Sequence, residues 1–303
     1  VPRFLEIFND IESHTYSAKV ESYLLKLTQK NCLALLPISE CTKKIQETIL
    51  KNYPDVKDEI LKKTTVLYPP QKVICTESDL EKKKNKKIKF LFVGNDFFRK
   101  GGGEVIEAFE KLFSKGVLDP DSVEVTLIGD INKKYNYALG EFQHDDAYFN
   151  EIDLKLRKCP SIEIINNLDN DSVIKLMKGA DVGLLSTWAD TFGYSVLEFQ
   201  ASGCPVISTN VRALPEINND HVGWIIDVAK DKLGNIKISS YQDVINTKRK
   251  IISGIMEAVL DACNNKSMLN AKGIASIKRI REFHDITRYN ETLSRIYNRE
   301  FFI

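Results

Sequence analysis

Two acidic side chains flank a glycine turn within residues 186–216, and their spacing restricts the chemistry of this chain more than any other feature. Asp190 precedes Phe192 and Gly193, and Glu198 lies one turn inside the helix predicted to follow. Carboxylate oxygens accept hydrogen bonds from hydroxyl groups, and the two oxygens of one carboxylate fit a vicinal diol. Apolar packing does not need two acids at this separation. The pattern therefore indicates a site for a polyhydroxylated, phosphorylated ligand.

Both acids also have a structural interpretation, which stays open at the level of sequence. Asp190 is suited to capping the N-terminus of the helix that follows it. Glu198 could be an exposed helix residue, although its apolar neighbours Val196, Leu197 and Phe199 indicate a helix that is largely buried. The first amides of the same helix could face a phosphate group.

A glycine-rich segment at residues 94–103 follows an apolar strand and opens a helix. Its glycines allow the backbone to approach a ligand closely, and a helix N-terminus presents N–H groups to an anion. Arg99 and Lys100 add two cations, so the segment suits a phosphate or diphosphate. It matches neither the Walker loop nor the dinucleotide-binding fingerprint, which argues against a dinucleotide oxidoreductase. A solvated basic turn is the structural alternative.

Several weaker candidates accompany these two segments. Backbone groups at Asn167 and Leu168, between a predicted strand and helix, could contact the edge of a base, although a plain turn is the simpler interpretation. Trp188 and Tyr194 could stack on a ring or could simply pack in the core. The four isolated histidines are interpreted as structural or exposed: His14, His144, His221 and His284.

From residue 88 onward, strands and helices alternate. Six strands are predicted, at Ile88–Val93, Val123–Ile128, Ile162–Ile165, Val182–Leu185, Pro205–Ser208 and Val222–Ile226. Helices are predicted between them at 104–113, 147–157, 171–177 and 194–201, and at the end of the chain at 242–264, 268–282 and 286–298. Several strands are continuously apolar, which indicates a parallel sheet with helices on both faces. Ligands bind beyond the carboxyl ends of such strands, where the candidate residues lie.

The first 70 residues follow a different pattern. Helical spacing dominates residues 1–30, and short strands are predicted at Cys32–Ile38 and Val66–Pro70. Ser39 is the predicted N-cap of a helix that extends to Leu50. A lysine-rich run at residues 81–87 is interpreted as a solvated linker, with contact to a membrane surface as the minority alternative.

The overall composition is that of an ordinary globular protein. The chain has 303 residues, of which 43% are hydrophobic and 28% charged, and its net charge of +1 creates no field that would select nucleic acid. Six scattered cysteines predict reduced, mostly buried thiols, and neither cysteines nor histidines have metal-ligand spacing. With no apolar run long enough to span a bilayer and no signal peptide pattern, we expect a cytoplasmic protein.

The candidate segments resemble the retaining glycosyltransferases of family four, which have the two-domain GT-B fold. F-V-G-N-D-F-F-R-K-G-G is similar to that family's F-V-G-R-x-x-x-x-K-G. Residues 180–209 are similar to its A-D-V-x-x-x-P-S-x-x-E-x-F-G-x-x-x-L-E-A-M-A-x-G-x-P-V-I-A-T. L-P-E-I and H-V-G-W-I-I-D are similar to the segments that follow, and the final helical region is similar to the family's C-terminal crossover helix. The resemblance extends from Ile88 to about Tyr297.

The resemblance implies a nucleotide-sugar donor bound without a metal or other cofactor. Arg99 and Lys100 would hold the diphosphate, Glu198 the ribose hydroxyls and Asp190 the donor sugar. The implied catalytic residues are Asp190, Lys100 and Arg99. The implied donor-binding residues are Gly94, Asn95, Gly101, Asn167, Leu168, Phe192, Gly193, Tyr194, Ser195 and Glu198.

Three features depart from the family pattern. Asp190 stands where the family has a glutamate, and Asn95 stands where it has an arginine. Residues 1–70 are similar only to the last part of the family's N-terminal, acceptor-side domain, so we expect a fragment or a truncated protein. The predicted organisation is a remnant of that domain at 1–70, a linker at 71–87, a Rossmann-like donor-binding domain at 88–282 and a crossover helix at 283–303.

The resulting expectation is a hexosyltransferase that uses a nucleoside diphosphate sugar with retention of anomeric configuration. Its acceptor would be a glycan, a lipid or a protein, with peripheral membrane contact as an open alternative. The second hypothesis is a non-catalytic, nucleotide-sugar-binding subunit or sensor.

Overall fold

The computed structural model describes residues 18–81 and 86–300. The chain divides into two compact units, one formed by Val1–Pro70 with Ile286–Ile303 and the other by Gln71–Asp285. Residues 1–17 of the segment predicted to be helical at 1–30, and residues 82–85 of the lysine-rich run, lie outside the described residues. No helix within the described ranges is long and apolar enough to cross a membrane.

The second unit is built on a six-stranded sheet in the order β3-β2-β1-β4-β5-β6, with every pair of neighbours parallel. The strands are β1 Ile88–Asp96, β2 Val123–Asp130, β3 Ile162–Ile165, β4 Val182–Leu185, β5 Val206–Thr209 and β6 Gly223–Ile226. The predicted α/β class and parallel sheet are confirmed. The apolar runs form these strands because side chains on both faces are buried, as in β4 and β5, where all four residues are buried.

Helices connect the strands and cover the sheet. In this unit they are α4 Glu77–Glu81, α5 Gly102–Ser114, α6 Asp146–Arg157, α7 Asn170–Gly179, α8 Tyr194–Ala201, α9 Leu214–Ile217, α10 Tyr241–Asn264 and α11 Lys266–Phe283. Single turns of 3₁₀ helix lie at Pro120–Ser122 and Tyr137–Leu139. Between the helices and the sheet lies an apolar core that includes Phe90, Phe92 and Phe109, each at most 1% exposed. Burial of this core is the main source of stability.

Strand β1 is longer than predicted, because it continues through Asp96. The prediction that the loop begins at Gly94 was therefore wrong. After a register shift beyond Val93, Asp96 pairs with Asp130 of β2, which keeps the segment in the sheet. A Cβ atom on Gly129 would lie 2.1 Å from the carbonyl oxygen of Gly94. Glycine at position 129 is thus what allows the two strand ends to approach.

The first unit consists mainly of helices, where it is described. It contains α1 Ala18–Thr28, α2 Glu40–Leu50, α3 Pro54–Lys62 and α12 Ile286–Tyr297. Ser39 caps α2 as predicted, and its side chain accepts a 3.0 Å hydrogen bond from the Thr42 amide. An apolar cluster of Leu50, Tyr53, Val56 and Ile60 holds the first three helices together, with residues from α1 packed against it.

The two strands predicted in this unit were wrong. The first segment forms only a single bridge, from Leu35 to Thr64, which precedes the second segment. Leu35 exchanges backbone hydrogen bonds with Lys63 and Thr65, and Leu67 donates to Pro37. Because proline has no N–H group, the ladder cannot continue through position 37. Extended segments are present, but they are too short to form strands.

Candidate functional site

The β1–α5 loop is held in one conformation by its glycines. Gly101 has φ of +92°, a left-handed conformation that glycine adopts without steric cost. A Cβ atom at this position would lie 2.2 Å from the main-chain oxygen of Ser186. Helix α5 begins at Gly102, so its first amides lie at the carboxyl edge of the sheet. This is the position at which a helix N-terminus can bind an anion.

The β4–α8 loop packs directly against the β1–α5 loop, because β1 and β4 are neighbours in the sheet. Trp188 donates its amide hydrogen to the carbonyl of Arg99 at 2.9 Å, and the Thr187 hydroxyl donates to the same oxygen at 3.2 Å. In return, the Arg99 guanidinium donates to the carbonyl of Ala189 at 2.6 Å. These contacts fix the spacing of the two loops, which each carry predicted site residues.

Lys100 and Asp190 meet across the two loops. The Lys100 Nζ lies 2.5 Å from Asp190 Oδ2, and the two side chains are 19% and 11% exposed. The structure thus brings together the two residues assigned by resemblance to the diphosphate and to the sugar. The Phe192 amide lies 3.4 Å from Asp190 Oδ1, a weak contact of the capping kind considered as an alternative.

Arg99 makes more contacts with other residues of the protein than the sequence indicated. Besides its bond to Ala189, its guanidinium forms an ion pair with Asp96 and lies over the ring of Tyr137, 5.1 Å from the centroid. The hydrogen bond from Arg99 holds the pKa of Asp96 below its ordinary value. Lys133 lies 3.7 Å from the same carboxylate. Asp96 was not predicted as a site residue, since an acid in a glycine-rich segment gives no signal of its partner.

Helix α8 carries Glu198 and begins after Gly193, whose φ is +93°. Glu198 is half-buried, and burial raises the pKa of its carboxyl above the ordinary value. Tyr194 is 55% exposed, whereas Phe192 is 1% exposed and Ser195 is half-buried. Of these side chains, Tyr194 is therefore the one most accessible to a ligand, while Phe192 packs in the core.

Of the remaining predicted residues, Gly94 and Asn95 lie on β1 beside Lys100, and Asn167 and Leu168 lie farther along the same edge. Gly94 is buried and Asn95 is exposed at the end of β1. Asn167 is exposed and Leu168 is half-buried between β3 and α7. Two strand spacings separate β3 from β1 in the sheet, which places this loop roughly 10 Å from the β1–α5 loop.

The aromatic and histidine candidates differ in how deeply they are buried. Trp188 is 1% exposed, so its ring is part of the core and cannot stack on a ligand. His144 stacks on Tyr148 with ring centroids 3.9 Å apart, and burial lowers its pKa to about 4. His284 is buried, and His221 is exposed. His14 lies outside the described residues. Within residues 18–81 and 86–300, no three His, Cys, Asp or Glu side chains are grouped closely enough to hold a metal ion.

One end of the arrangement is suited to phosphate groups and the other to hydroxyl groups. Two helix N-termini and the Lys100 ammonium offer hydrogen bonds and positive charge to phosphate oxygens. Asp190 and Glu198 offer carboxylate oxygens to hydroxyl groups. All of them lie beyond the carboxyl ends of β1 and β4, the usual ligand-binding edge of a parallel sheet.

Comparison with known proteins gives the family. The model of the family "Glycosyl transferases group 1" matches residues 76–241, more than half of the chain and including both site loops. The comparison with curated proteins finds no similar sequence.

Solved structures share the fold at low sequence identity. An Anabaena HepE structure in complex with UDP and glucose has a TM-score of 0.61 and 12% identity, and the alignment covers 94% of this chain and 68% of that one. A glycosyltransferase from Rickettsia africae has a TM-score of 0.58 and 18% identity, with 91% and 66% covered. WaaG, a glycosyltransferase involved in lipopolysaccharide biosynthesis, has a TM-score of 0.53 and 18% identity, with 86% and 62% covered.

The chain therefore spans about two thirds of the length of these structures, and its Rossmann-like sheet is of the kind found in GT-B glycosyltransferases. The family match, the fold and the position of the two loops agree with one another. This chain belongs to the glycosyl transferases group 1 family.

Proposed function

We propose that the Gln71–Asp285 unit binds a nucleoside diphosphate sugar and that the protein transfers the hexose with retention of anomeric configuration, as family-four enzymes do. The observation that carries this proposal is the contact between Lys100 and Asp190 at the edge where two helix N-termini begin. It supports the proposal because a cation that would bind phosphate lies beside an acid that would bind hydroxyl groups, as a compact donor requires.

Each end of the donor would meet a different group. Lys100, with the amides at the starts of α5 and α8, would neutralise the charge on the departing diphosphate. Asp190 would accept hydrogen bonds from the sugar, and Glu198 from the ribose. Arg99 would act mainly by holding the two loops together, since its guanidinium already contacts Ala189 and Asp96. The β3–α7 loop at Asn167 and Leu168 would contact the base.

Several finer assignments complete the proposal. Residues 1–70 would belong to the acceptor-side domain and 283–303 to the crossover helix, with 71–87 as linker and 88–282 as the donor-binding domain. The acceptor would be a glycan, a lipid or a protein, and the protein would be cytoplasmic. Binding would need no metal, so EDTA should leave donor affinity unchanged.

Calorimetry with UDP, GDP and ADP tests the donor site. The structures of Anabaena HepE are described as complexes with UDP, with UDP and glucose, and with UDP-glucose, which makes UDP the first probe. We expect one nucleotide to bind and both Lys100→Ala and Glu198→Ala to weaken it at least tenfold, the range for losing one hydrogen bond to a charged group.

The matched control is Lys89→Ala. Lys89 lies on the same strand, β1, but near the amino end of that strand, at the edge of the sheet opposite the site. Its Nζ atom lies 2.9 Å from Glu124 Oε2. This variant should bind as the wild type does. Absence of binding by all three nucleotides, or equal effects of Lys89→Ala and Lys100→Ala, would contradict the proposed site.

A non-catalytic nucleotide-sugar-binding subunit is the second candidate, and the short side chain of Asp190 favours it. Aspartate is one methylene shorter than the family's glutamate, and here its carboxylate accepts a hydrogen bond from Lys100. Donor hydrolysis or transfer by the wild type would argue for an enzyme. Donor binding without turnover, with turnover appearing in Asp190→Glu, would argue for the subunit.

A further inference from the structure

The loop between β2 and α6, residues 131–145, lies at the ligand edge of the sheet, and the proposed function gives it no role. Strand β2 is the neighbour of both β1 and β3. This loop therefore begins between the β1–α5 loop, which would hold the diphosphate, and the β3–α7 loop, which would contact the base. Neighbouring strands lie about 5 Å apart, so a nucleotide that extends from one of these loops to the other passes over the end of β2.

Two tyrosines of the β2–α6 loop have exposed side chains. Tyr135 is 70% exposed and Tyr137 is 41% exposed. Tyr137 also contacts the β1–α5 loop, because the Arg99 guanidinium lies over its ring, 5.1 Å from the centroid. An aromatic side chain that stays exposed while it contacts a donor loop is placed where a ligand can reach it.

The fixed position of Arg99 fixes the ring beneath it. The guanidinium donates to the Ala189 carbonyl at 2.6 Å and forms an ion pair with Asp96. Lys133, from the same loop as Tyr137, contributes a second cation to that acid, with its Nζ atom 3.7 Å from Asp96 Oδ1. The guanidinium is thereby held between the two donor loops, and the Tyr137 ring that it covers is held beside them.

Hydrogen bonds within the β2–α6 loop hold Tyr137 from its other side. The buried Asn136 side chain accepts a hydrogen bond from the Ala138 amide at 3.1 Å and so caps the 3₁₀ turn that begins at Tyr137. The Gln143 side chain accepts from the Asn136 amide at 3.1 Å and donates to the carbonyls of Asn136 and Gly140, each at 2.8 Å. Since the loop is already ordered, little conformational entropy is lost when a ligand binds to its exposed ring.

We propose that Tyr137 is a ligand-contacting residue of the donor site and that its ring stacks on the base of the nucleotide. Every base has a π-face, so an aromatic side chain contributes affinity without selecting one base over another. Tyr137 thus gives the site its preference for a nucleoside diphosphate over a diphosphate that lacks a base. This role deepens the proposed function and rests on it.

Calorimetry with a nucleotide and with inorganic pyrophosphate tests this role, the nucleotide being the tightest binder among UDP, GDP and ADP. Tyr137→Ala should weaken nucleotide binding at least about fivefold, the low end for one base–aromatic stack. It should leave pyrophosphate binding within about twofold of wild type, because pyrophosphate has no ring to stack. Tyr137→Phe keeps the ring and should restore nucleotide binding to within about threefold of wild type. Tyr135→Ala is the matched control from the same loop and should bind both ligands as the wild type does.

Two calorimetric results would overturn the proposal. Equal nucleotide binding by Tyr137→Ala and Tyr135→Ala would show that the ring does not contact the ligand. An equal loss of nucleotide and pyrophosphate binding in Tyr137→Ala would show that Tyr137 acts only by positioning Arg99.

Tryptophan at the same position gives a direct reading of the stack. The emission of Tyr137→Trp should fall when nucleotide is added but not when pyrophosphate is added. Trp188 and Trp224, both buried, give the same background in Tyr135→Trp, whose emission should change no more than that of the wild type. A fall of the same size in both variants contradicts stacking at position 137.

The same measurements separate a failure of this proposal from a failure of the proposed function. If the wild type binds none of the three nucleotides, the donor site is wrong and the base stack is wrong with it. If the wild type binds, Lys100→Ala weakens both nucleotide and pyrophosphate, and Tyr137→Ala and Tyr135→Ala bind alike, then the donor site stands and only the base stack is wrong.

Discussion

At the residue scale, Gly101 is the position where the backbone of the site tolerates least change. Its φ of +92° disfavours any side chain, and a Cβ atom would meet main-chain atoms of Ser186, which cannot rotate away. Gly116 also has a positive φ, of +65°, but nothing lies within 4 Å of its Cβ position. Comparing alanine substitutions at the two glycines therefore separates the cost of the left-handed backbone from the cost of a steric clash.

We expect Gly101→Ala to destabilise the protein by at least about 2 kcal/mol more than Gly116→Ala, whose cost is the left-handed conformation alone, about 1 kcal/mol. Urea denaturation measures both values. Equal losses would mean that the β4–α8 loop moves away without cost, contrary to the close packing of the two loops.

Glu104, in the first turn of α5, gives a prediction about stability and pH. Burial raises its pKa to about 7 in the folded protein, against 4.5 for an ordinary glutamate, so folding favours the protonated form. The stability that this provides is complete below pH 4.5 and is lost as the pH rises through 7. Glu104→Gln keeps the shape without the charge, so at pH 8 it should exceed wild type by about 3 kcal/mol.

Thermal or urea unfolding at pH 5 and pH 8 checks this prediction. The difference between Glu104→Gln and wild type should be less than about 1 kcal/mol at pH 5 and should grow toward pH 8. A constant difference at both values would show that Glu104 is charged throughout or that it does not titrate in this range.

Lys100 and Asp190 were predicted as site residues from the sequence, because each lies in a segment with a recognisable pattern, and the structure brings them into contact. Glu104 and Asp96 were not singled out from the sequence, and there is a physical reason for this. An acid in the first turn of a helix is ordinarily explained by the helix dipole, and an acid at a strand end by exposure to solvent. Only the fold shows that Glu104 is buried and that Asp96 forms an ion pair with Arg99.

At the element scale, one buried glutamate joins three helices behind the site. Glu107 of α5, which is 5% exposed, lies 3.0 Å from Lys155 of α6 and 2.6 Å from Lys248 of α10. Lys155 also pairs with Glu151 on its own helix at 2.6 Å. Since removal of one partner leaves buried charge uncompensated, this network should contribute strongly to the packing of α5.

We expect Glu107→Gln to cost about 3 kcal/mol of unfolding free energy, because both lysines lose their buried counter-charge. Glu151→Gln is the control, since its side chain is 58% exposed and such pairs are worth less than about 1 kcal/mol. Urea denaturation at low and high salt distinguishes them. Similar small losses in both variants would show that the network is well hydrated.

The accuracy of the sequence prediction depended on element type. Strands β3 and β4 and helix α8 have the predicted bounds, because long-range burial and local pattern agree there. Helix α3 was not predicted, although Pro54 at its start and Asp55 in its first turn are helix-start signals. The segment at residues 32–38 has the composition of a strand, but strand formation depends on a partner, which single-sequence patterns do not reveal.

At the scale of the whole molecule, the candidate site belongs to one unit. All of its residues lie between Gly94 and Glu198, inside Gln71–Asp285 and inside the family match at 76–241. The alternation of strands and helices was enough to predict this unit's class. Its strand order was not predicted, because order depends on which distant strands pair.

We expect a fragment of residues 71–285 to fold cooperatively and to bind the nucleotide with an affinity within about threefold of the full chain, since such a unit has its own core. Circular dichroism and calorimetry measure the two properties, and Lys100→Ala in the fragment is the control for specific binding. A folded fragment that fails to bind would show that the Val1–Pro70 and Ile286–Ile303 unit contributes to the donor site.

The neighbouring position of β1 and β4 in the sheet has a consequence for how the protein folds. Lys100 and Asp190 are 90 residues apart in the chain, and β2 and β3 lie between them in sequence. Closing so long a loop carries an entropic cost that precedes any gain from the contact. We therefore expect the contact between Lys100 and Asp190 to form late, after β4 has docked beside β1. A ligand that contacts both loops would stabilise only the assembled sheet. Under the proposed function, we therefore expect no nucleotide binding by a chain that has not yet been synthesised through α8.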